Sequence, residues 1–295
     1  MRFHTLSVVV GGLACNARCP FCIASMTPAS GLTLRATPPD LPVLDRVFEL
    51  AREGGDTQVM LTGKGEPTLW PDHITAILGG LAPWDFARID LQTNGIPIAD
   101  GRVDDETLAR WRALGLSLIA ISVVHHEPAA DRAVYLPYRS AYIDLPALIE
   151  RLHGHGFAVR LAVVMADGLV DDPDDVRGMI RFAREHEVEQ LTLRPVNAPA
   201  DSRAPEVSAW VAGHALTVEQ EMRIAAFLAP YPLLASLPWG GEIRDVDGVS
   251  VCLTNSLTHD DPAHEVGRQL ITYPDGSVST SWESPAVPAD ALVAA

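Results

Sequence analysis

The chain is poor in cysteine, with four in 295 residues, and three of those fall within one octapeptide. That distribution excludes a spread framework of disulfides, and clustered cysteines read instead as metal ligands or redox groups. Basic residues are also scarce. Lys and Arg total 22 against 38 Asp and Glu, a formal net charge of -16. This balance argues against a broad surface for nucleic acid or an anionic membrane. Long apolar runs are missing as well. The run near the N-terminus is too short for a signal peptide, and none approaches the roughly 20 residues of a membrane span. A cytoplasmic protein without membrane association is expected. Hydrophobic residues at 47% and charged residues at 20% suit an ordinary folded chain.

What is present is an alternation. Strand-like runs at 5–10, 57–61, 87–92, 117–123, 158–165 and 190–195 alternate with helical periodicities at 41–53, 72–80, 104–114, 145–153 and 173–186. Six β-then-α units predict right-handed parallel crossovers. The fold class is therefore α/β, a partial (β/α)6 barrel and not a closed barrel of eight. Functional residues in such folds lie where strands end and loops begin. Residues 1–197 form this core domain. Residues 198–295 form a small α+β extension: a loop at 198–206, a helix at 218–228, and strands at 249–253 and 269–273. Pro274-Asp275-Gly276 then turns into a strand at 278–282. This hairpin is expected to cap the barrel, with 284–295 as a loose tail.

Cys15, Cys19 and Cys22 stand at i, i+4 and i+7. Three thiolates so spaced can hold three irons of a cubane cluster and leave the fourth iron open to a ligand. Zinc would require a fourth ligand. His4 and Cys252 are available, but nothing in the sequence places either there. Phe21, just before the last cysteine, would shield a cluster and contact a bound cofactor. The pattern C-x3-C-x-Φ-C after a first strand resembles the signature of the radical S-adenosylmethionine (SAM) superfamily. The resemblance implies a barrel of radical SAM type and one [4Fe–4S] cluster on these three cysteines. It implies SAM chelated through its amino and carboxylate groups at the open iron, and an external flavodoxin or ferredoxin as reductant. Cleavage to methionine and a 5′-deoxyadenosyl radical would then remove a hydrogen atom from a small-molecule or peptide substrate.

Gly63-Lys64-Gly65-Glu66-Pro67 follows the second strand. Its glycines allow close backbone approach to a ligand, and Glu66 can offset a cation. It is similar to the superfamily's Gly-Gly-Glu-Pro motif, which hydrogen-bonds the SAM amino group, with Lys64 in place of the first glycine. Thr93-Asn94-Gly95 is a common turn that, by the same resemblance, lies beside SAM. Ser122 would contact the methionine carboxylate or ribose, and Val196 would pack on the adenine. Arg160 and Arg194, in the fifth and sixth strands, either clamp a carboxylate or form internal ion pairs, since a buried unpaired charge is costly.

The resemblance covers residues 5–197. The extension lacks the cysteines of auxiliary clusters, so one cluster is expected. His125-His126-Glu127 could bind metal, exchange protons or face solvent. Tyr135, Tyr138, Arg139 and Tyr142 could line a pocket or cover the barrel edge. Cys252 is either a buried thiol or a hydrogen-atom donor to a product radical. Gln269, Tyr273 and Trp282 would form a hairpin mini-core, with Gln269 or Tyr273 facing substrate. Two rival readings are an iron–sulfur electron carrier or sensor without SAM chemistry, and a zinc hydrolase.

Overall fold

The computed structural model describes residues 2–53, 58–237, 241–254 and 267–290. The six core strands are β1 (Phe3–Val9), β2 (Gln58–Thr62), β3 (Ile89–Thr93), β4 (Leu116–Val123), β5 (Ala158–Met165) and β6 (Gln190–Pro195). They pair in parallel in chain order. The helices Leu41–Glu53, Pro71–Leu81, Asp105–Ala113, Leu145–Gly154 and Pro173–Glu185 make the crossovers. Three of these helices start on an aspartate that accepts backbone N–H groups of the first turn. Asp104 takes Thr107, Asp144 takes Ala147, and Asp172 takes Asp174 and Asp175, so donors with no intrahelical partner are satisfied. Position 57 of the expected second strand and positions 291–295 of the expected tail lie outside the described residues.

Strand periodicity sorts the residues onto two faces. In β5 and β6, Val159, Leu161, Val163, Leu191 and Leu193 are fully buried in the main apolar core. Their alternates Arg160, Ala162, Gln190, Thr192 and Arg194 line a cavity of about 700 Å³. Met60, Gln92, Ala120, Cys252 and Gln269 come to the same cavity from five other strands, so the sheet curves around it. A sheet buried on both faces is ordinarily apolar on both. The polar inner face marks the cavity as the part of the fold not devoted to packing.

The extension adds strands at both edges of the core sheet. The 274–276 turn does join β10 (Gly267–Thr272) to an antiparallel β11 (Val278–Ser279), yet β10 runs parallel beside β1. At the other edge β9 (Val249–Leu253) runs parallel beside β6. Beyond it lie the antiparallel strands β8 (Glu242–Val246) and β7 (Leu233–Ser236). The order is β11-β10-β1-β2-β3-β4-β5-β6-β9-β8-β7. Among the described residues the sheet ends at β7 and β11, which do not pair, so the barrel stays open between those edges. The physical reason is the edge: β1 and β6 would each present a row of unpaired N–H and C=O groups, and the extension pairs both rows. A helix at Pro205–His214 also begins inside the stretch expected to be a loop.

Candidate active site

The cluster loop leaves β1 and ends at Cys22, which opens a short helix, Ile23–Met26. Cys15, Cys19 and Cys22 are all free thiols. Burial pushes the Cys15 thiol up to about 11, with Glu66 and Cys22 adding repulsion. Burial also raises Cys19, again aided by its two neighbouring thiols. Two thiols that disfavour negative charge, with a third beside them in one loop, suit a site completed by a strongly cationic group, since a bound metal holds coordinating thiols deprotonated. Phe21 does not face the cavity. Its ring packs edge-on against Tyr135 at 6.2 Å and against Trp210 at 5.6 Å, so it anchors the loop in the core. Tyr135 and Tyr142 are inside, under the loop. Exposed Tyr138 hydrogen-bonds the Asn16 carbonyl and carries Arg18 over its ring. Arg139 pairs with Asp100 at 2.8 Å.

The glycine-containing turn after β2 is tied directly to this loop. Glu66 N–H donates to the Ala14 carbonyl at 2.9 Å. A Cβ at Gly65 would stand 2.1 Å from that same oxygen, so only glycine permits the approach. Gly63 lines the cavity, and Pro67 opens a buried turn, Pro67–Leu69. The Glu66 carboxylate is buried. Its Oε1 accepts Thr68 N–H at 2.9 Å and the Thr68 and Thr93 hydroxyls at 2.6 Å each; Oε2 accepts Asn94 N–H at 2.9 Å. Asn94 also donates through Nδ2 to Asn16 Oδ1 at 2.8 Å, inside the cluster loop. Gly95 takes a positive φ of 74° to start the helix Ile96–Ala99.

Glu66, Thr93 and Asn94, 28 residues apart at the extremes, thus form one unit with the cysteine loop. Burial raises the Glu66 pKa, and the hydrogen bonds from Thr68, Thr93 and Asn94 oppose the rise. No described Lys, Arg or His pairs with this carboxylate. Oε1 accepts three of the four bonds and Oε2 only one, so Oε2, with two lone pairs, keeps one acceptor position open. A buried carboxylate with one free acceptor and no cation is suited to a ligand ammonium.

Lys64 is the only lysine of the chain. It lines the cavity, donates to the Thr27 hydroxyl and lies 5.3 Å from the Trp282 ring centroid. Burial pulls its pKa down to about 8. Ser122 shares the inner face of β4 with Ala120, and Val196 is buried just past β6. Arg160 does not join the turns at the strand ends. It sits low in β5, in register with Gln190, and its guanidinium is committed to Asp90 at 2.7 Å. Arg88 clamps the same carboxylate with two bonds, at 2.9 and 2.7 Å. Arg194, Cys252 and Gln269 line the cavity, whereas Tyr273 is packed with Val9 and Ile271. His125 and His126 stack on each other at 4.4 Å, and His126 lies against Gly178 of the helix Pro173–Glu185. Neither lines the cavity. Thr68 and Asn16, which complete the carboxylate and loop contacts, carry no motif of their own in the sequence. Arg88 and Asp90 do carry a weak signal, since their i, i+2 spacing puts both on one strand face.

Residues 9–183 match the family model of the radical SAM superfamily. The chain belongs to the radical SAM superfamily. Membership makes it an enzyme with SAM and a [4Fe–4S] cluster as cofactors, and the cysteine loop fits that cluster. Among curated proteins it is similar to the probable dual-specificity RNA methyltransferase RlmN of Chlorobaculum tepidum, 26% identical over 188 residues. The match covers 58% of this chain and 46% of RlmN, so the chain spans about half of that relative's length. Among solved structures it resembles SuiB of Streptococcus suis bound to S-adenosylmethionine. The TM-score is 0.60 at 10% identity, over 95% of this chain and 60% of SuiB. A radical SAM methyltransferase from Sphaerobacter thermophilus gives 0.56 at 19% identity, over 84% of this chain and 65% of the other. These likenesses concern the fold. No helix among the described residues is long and apolar enough to cross a membrane.

Proposed function

We propose that this protein cleaves SAM reductively and uses the product radical to abstract a hydrogen atom from a small-molecule or peptide substrate held in the barrel cavity. The observation that carries the reading is the buried, cation-free Glu66 carboxylate, joined through Ala14 and Asn94 to the cysteine loop. Bound there, the cluster and SAM supply the electron transfer that breaks the C5′–S bond and yields methionine and a 5′-deoxyadenosyl radical. The chain's own residues orient and enclose. Cys15, Cys19 and Cys22 hold the cluster. Glu66 takes the amino group of SAM, with Thr93 and Asn94 fixing the carboxylate's direction. Ser122 and Val196 flank the ribose and adenine. The curved sheet excludes water from the space in front of them. A flavodoxin or ferredoxin supplies the electron. An electron carrier has no need of a polar cavity inside the barrel, which sets that alternative aside. The net charge of -16 favours a small molecule or peptide over RNA.

The test is anaerobic incubation of the reconstituted protein with SAM and dithionite, followed by chromatography. 5′-Deoxyadenosine is the expected product. A cluster-replete protein that neither forms it nor retains SAM in equilibrium dialysis would overturn the reading.

Glu66 offers a separate test. In Glu66→Gln the amide NH2 faces donors from Thr93 or Asn94, and the charge that meets the SAM ammonium is gone. A hydrogen bond to a charged group contributes about 1.5–3 kcal/mol, so SAM affinity should fall roughly 10- to 150-fold in equilibrium dialysis. Cluster content should stay at the wild-type level. Unchanged affinity would remove Glu66 from the cofactor site.

A further inference from the structure

We propose that the substrate of this cavity carries an anionic group, a carboxylate or phosphate, and that Arg194 binds it. The inference rests on the SAM-cleaving reading for the identity of the cavity's other occupant. Arg194 is the fifth residue of β6 and faces the cavity. Its guanidinium makes no hydrogen bond or ion pair with any described residue, and its Nε is sealed from solvent with no partner. Burial weighs most against its charge, and Arg160 and Arg268 add repulsion. The contrast with Arg160 is instructive. Arg160 and Arg88 share the Asp90 carboxylate, so their charge is partly compensated. Among the described residues Arg194 has no such acid. Among the described residues lining the cavity, Lys64, Arg88, Arg160, Arg194 and Arg268 are cationic, while Glu283 alone is acidic. This concentration of positive charge stands in a chain where acids outnumber Lys and Arg by 38 to 22. An unpaired cation set against two others is costly to keep. A ligand anion would remove that cost.

The anion is not the carboxylate of SAM. That group shares a carbon with the amino group assigned to Glu66, at the ends of β2 and β3. β2 and β6 are four positions apart in the sheet. Arg194 is assigned to a second molecule, on the flank where β6 pairs with β9.

The experiment is thermal unfolding of the cluster-reconstituted protein, with and without saturating SAM, and three probes. These are inorganic phosphate, glutarate, and neutral glutaramide. Phosphate or glutarate is expected to raise the melting temperature and glutaramide is not. The response should disappear in Arg194→Met and persist, reduced, in Arg194→Lys. Without probes, Arg194→Met should melt about 2–4 °C above wild type, since an unpaired cation is replaced by an apolar chain of similar length. An arginine with a structural partner would give the opposite sign. A fall in melting temperature for Arg194→Met overturns the proposal. So does an anion response equal in variant and wild type, or none in wild type. A phosphate response abolished by SAM would hand Arg194 to the cofactor and likewise overturn it. Failure of SAM to bind at all would sink the cofactor reading alone, because the probe series without SAM still decides the role of Arg194.

Discussion

Cys19→Ala protein is expected to leave anaerobic reconstitution colourless, with iron falling from about four per chain to near zero and 5′-deoxyadenosine at background. Cys19 is the middle one of the three proposed ligands, and its carbonyl accepts Cys22 N–H at 3.3 Å, so its backbone sets the loop's turn. The substitution leaves that backbone bond intact and removes only the sulfur. Two thiols then stand where three irons need ligands. The fold should hardly notice. Cys19 is only partly buried, and losing a group about the size of a methylene costs up to about 0.8 kcal/mol. Apo forms of variant and wild type should therefore melt within a few degrees of each other. Iron and colour retained by the variant would mean that another side chain supplies the ligand.

Gly65→Ala should be nearly as damaging, by a different route. The added Cβ would meet the Ala14 carbonyl oxygen at 2.1 Å and the Gly12 oxygen at 2.7 Å. Both are backbone atoms and cannot swing away like a side-chain end. The turn after β2 and the cysteine loop must separate, which breaks the bond from Glu66 N–H to Ala14. Overpacking of this kind costs about 1–3 kcal/mol, or a fall of roughly 2–12 °C in melting temperature. Separation of Glu66 from the loop should also reduce SAM affinity at least tenfold. Gly79→Ala is the control. Gly79 lies in the helix Pro71–Leu81, and its Cβ would meet nothing within 4 Å. It should be neutral or stabilising by up to about 1 kcal/mol. Equal losses in the two variants would show that the 2.1 Å approach carries no special weight.

The parts of this site that the sequence displays are local. The cysteine spacing, the glycines before Glu66 and the Thr93-Asn94-Gly95 turn each sit within a few residues, and each follows a strand whose periodicity is plain. Their assembly was foreseeable because successive parallel strands deliver their ends to one rim. The hidden parts depend on pairing across the fold. Arg160 and Arg194 look alike in the sequence, two arginines in successive strands. Only the register shows that one reaches Asp90, 70 residues earlier, and that the other reaches no acid among the described residues. The sequence favoured a cofactor contact for Phe21, whereas Tyr135 and Trp210 hold it in the core. The edge pairing of the extension is hidden for the same reason. Its strands could be read, but their partners could not, because edge pairing satisfies backbone groups that look the same in any sequence.

The sheet order also dictates a sequence of events during synthesis. β1 leaves the ribosome well before one of its neighbours, β10, which comes from residues 267–272. The core strands can assemble earlier, but β1 and β6 then wait with bare edges while the rest of the chain is translated. Such edges recruit foreign strands, so the nascent enzyme is most vulnerable after β6 has emerged and before β10 has. Slow codons or a chaperone would matter most in that interval, and the long-range β1–β10 pairing makes the final docking the slow step of folding.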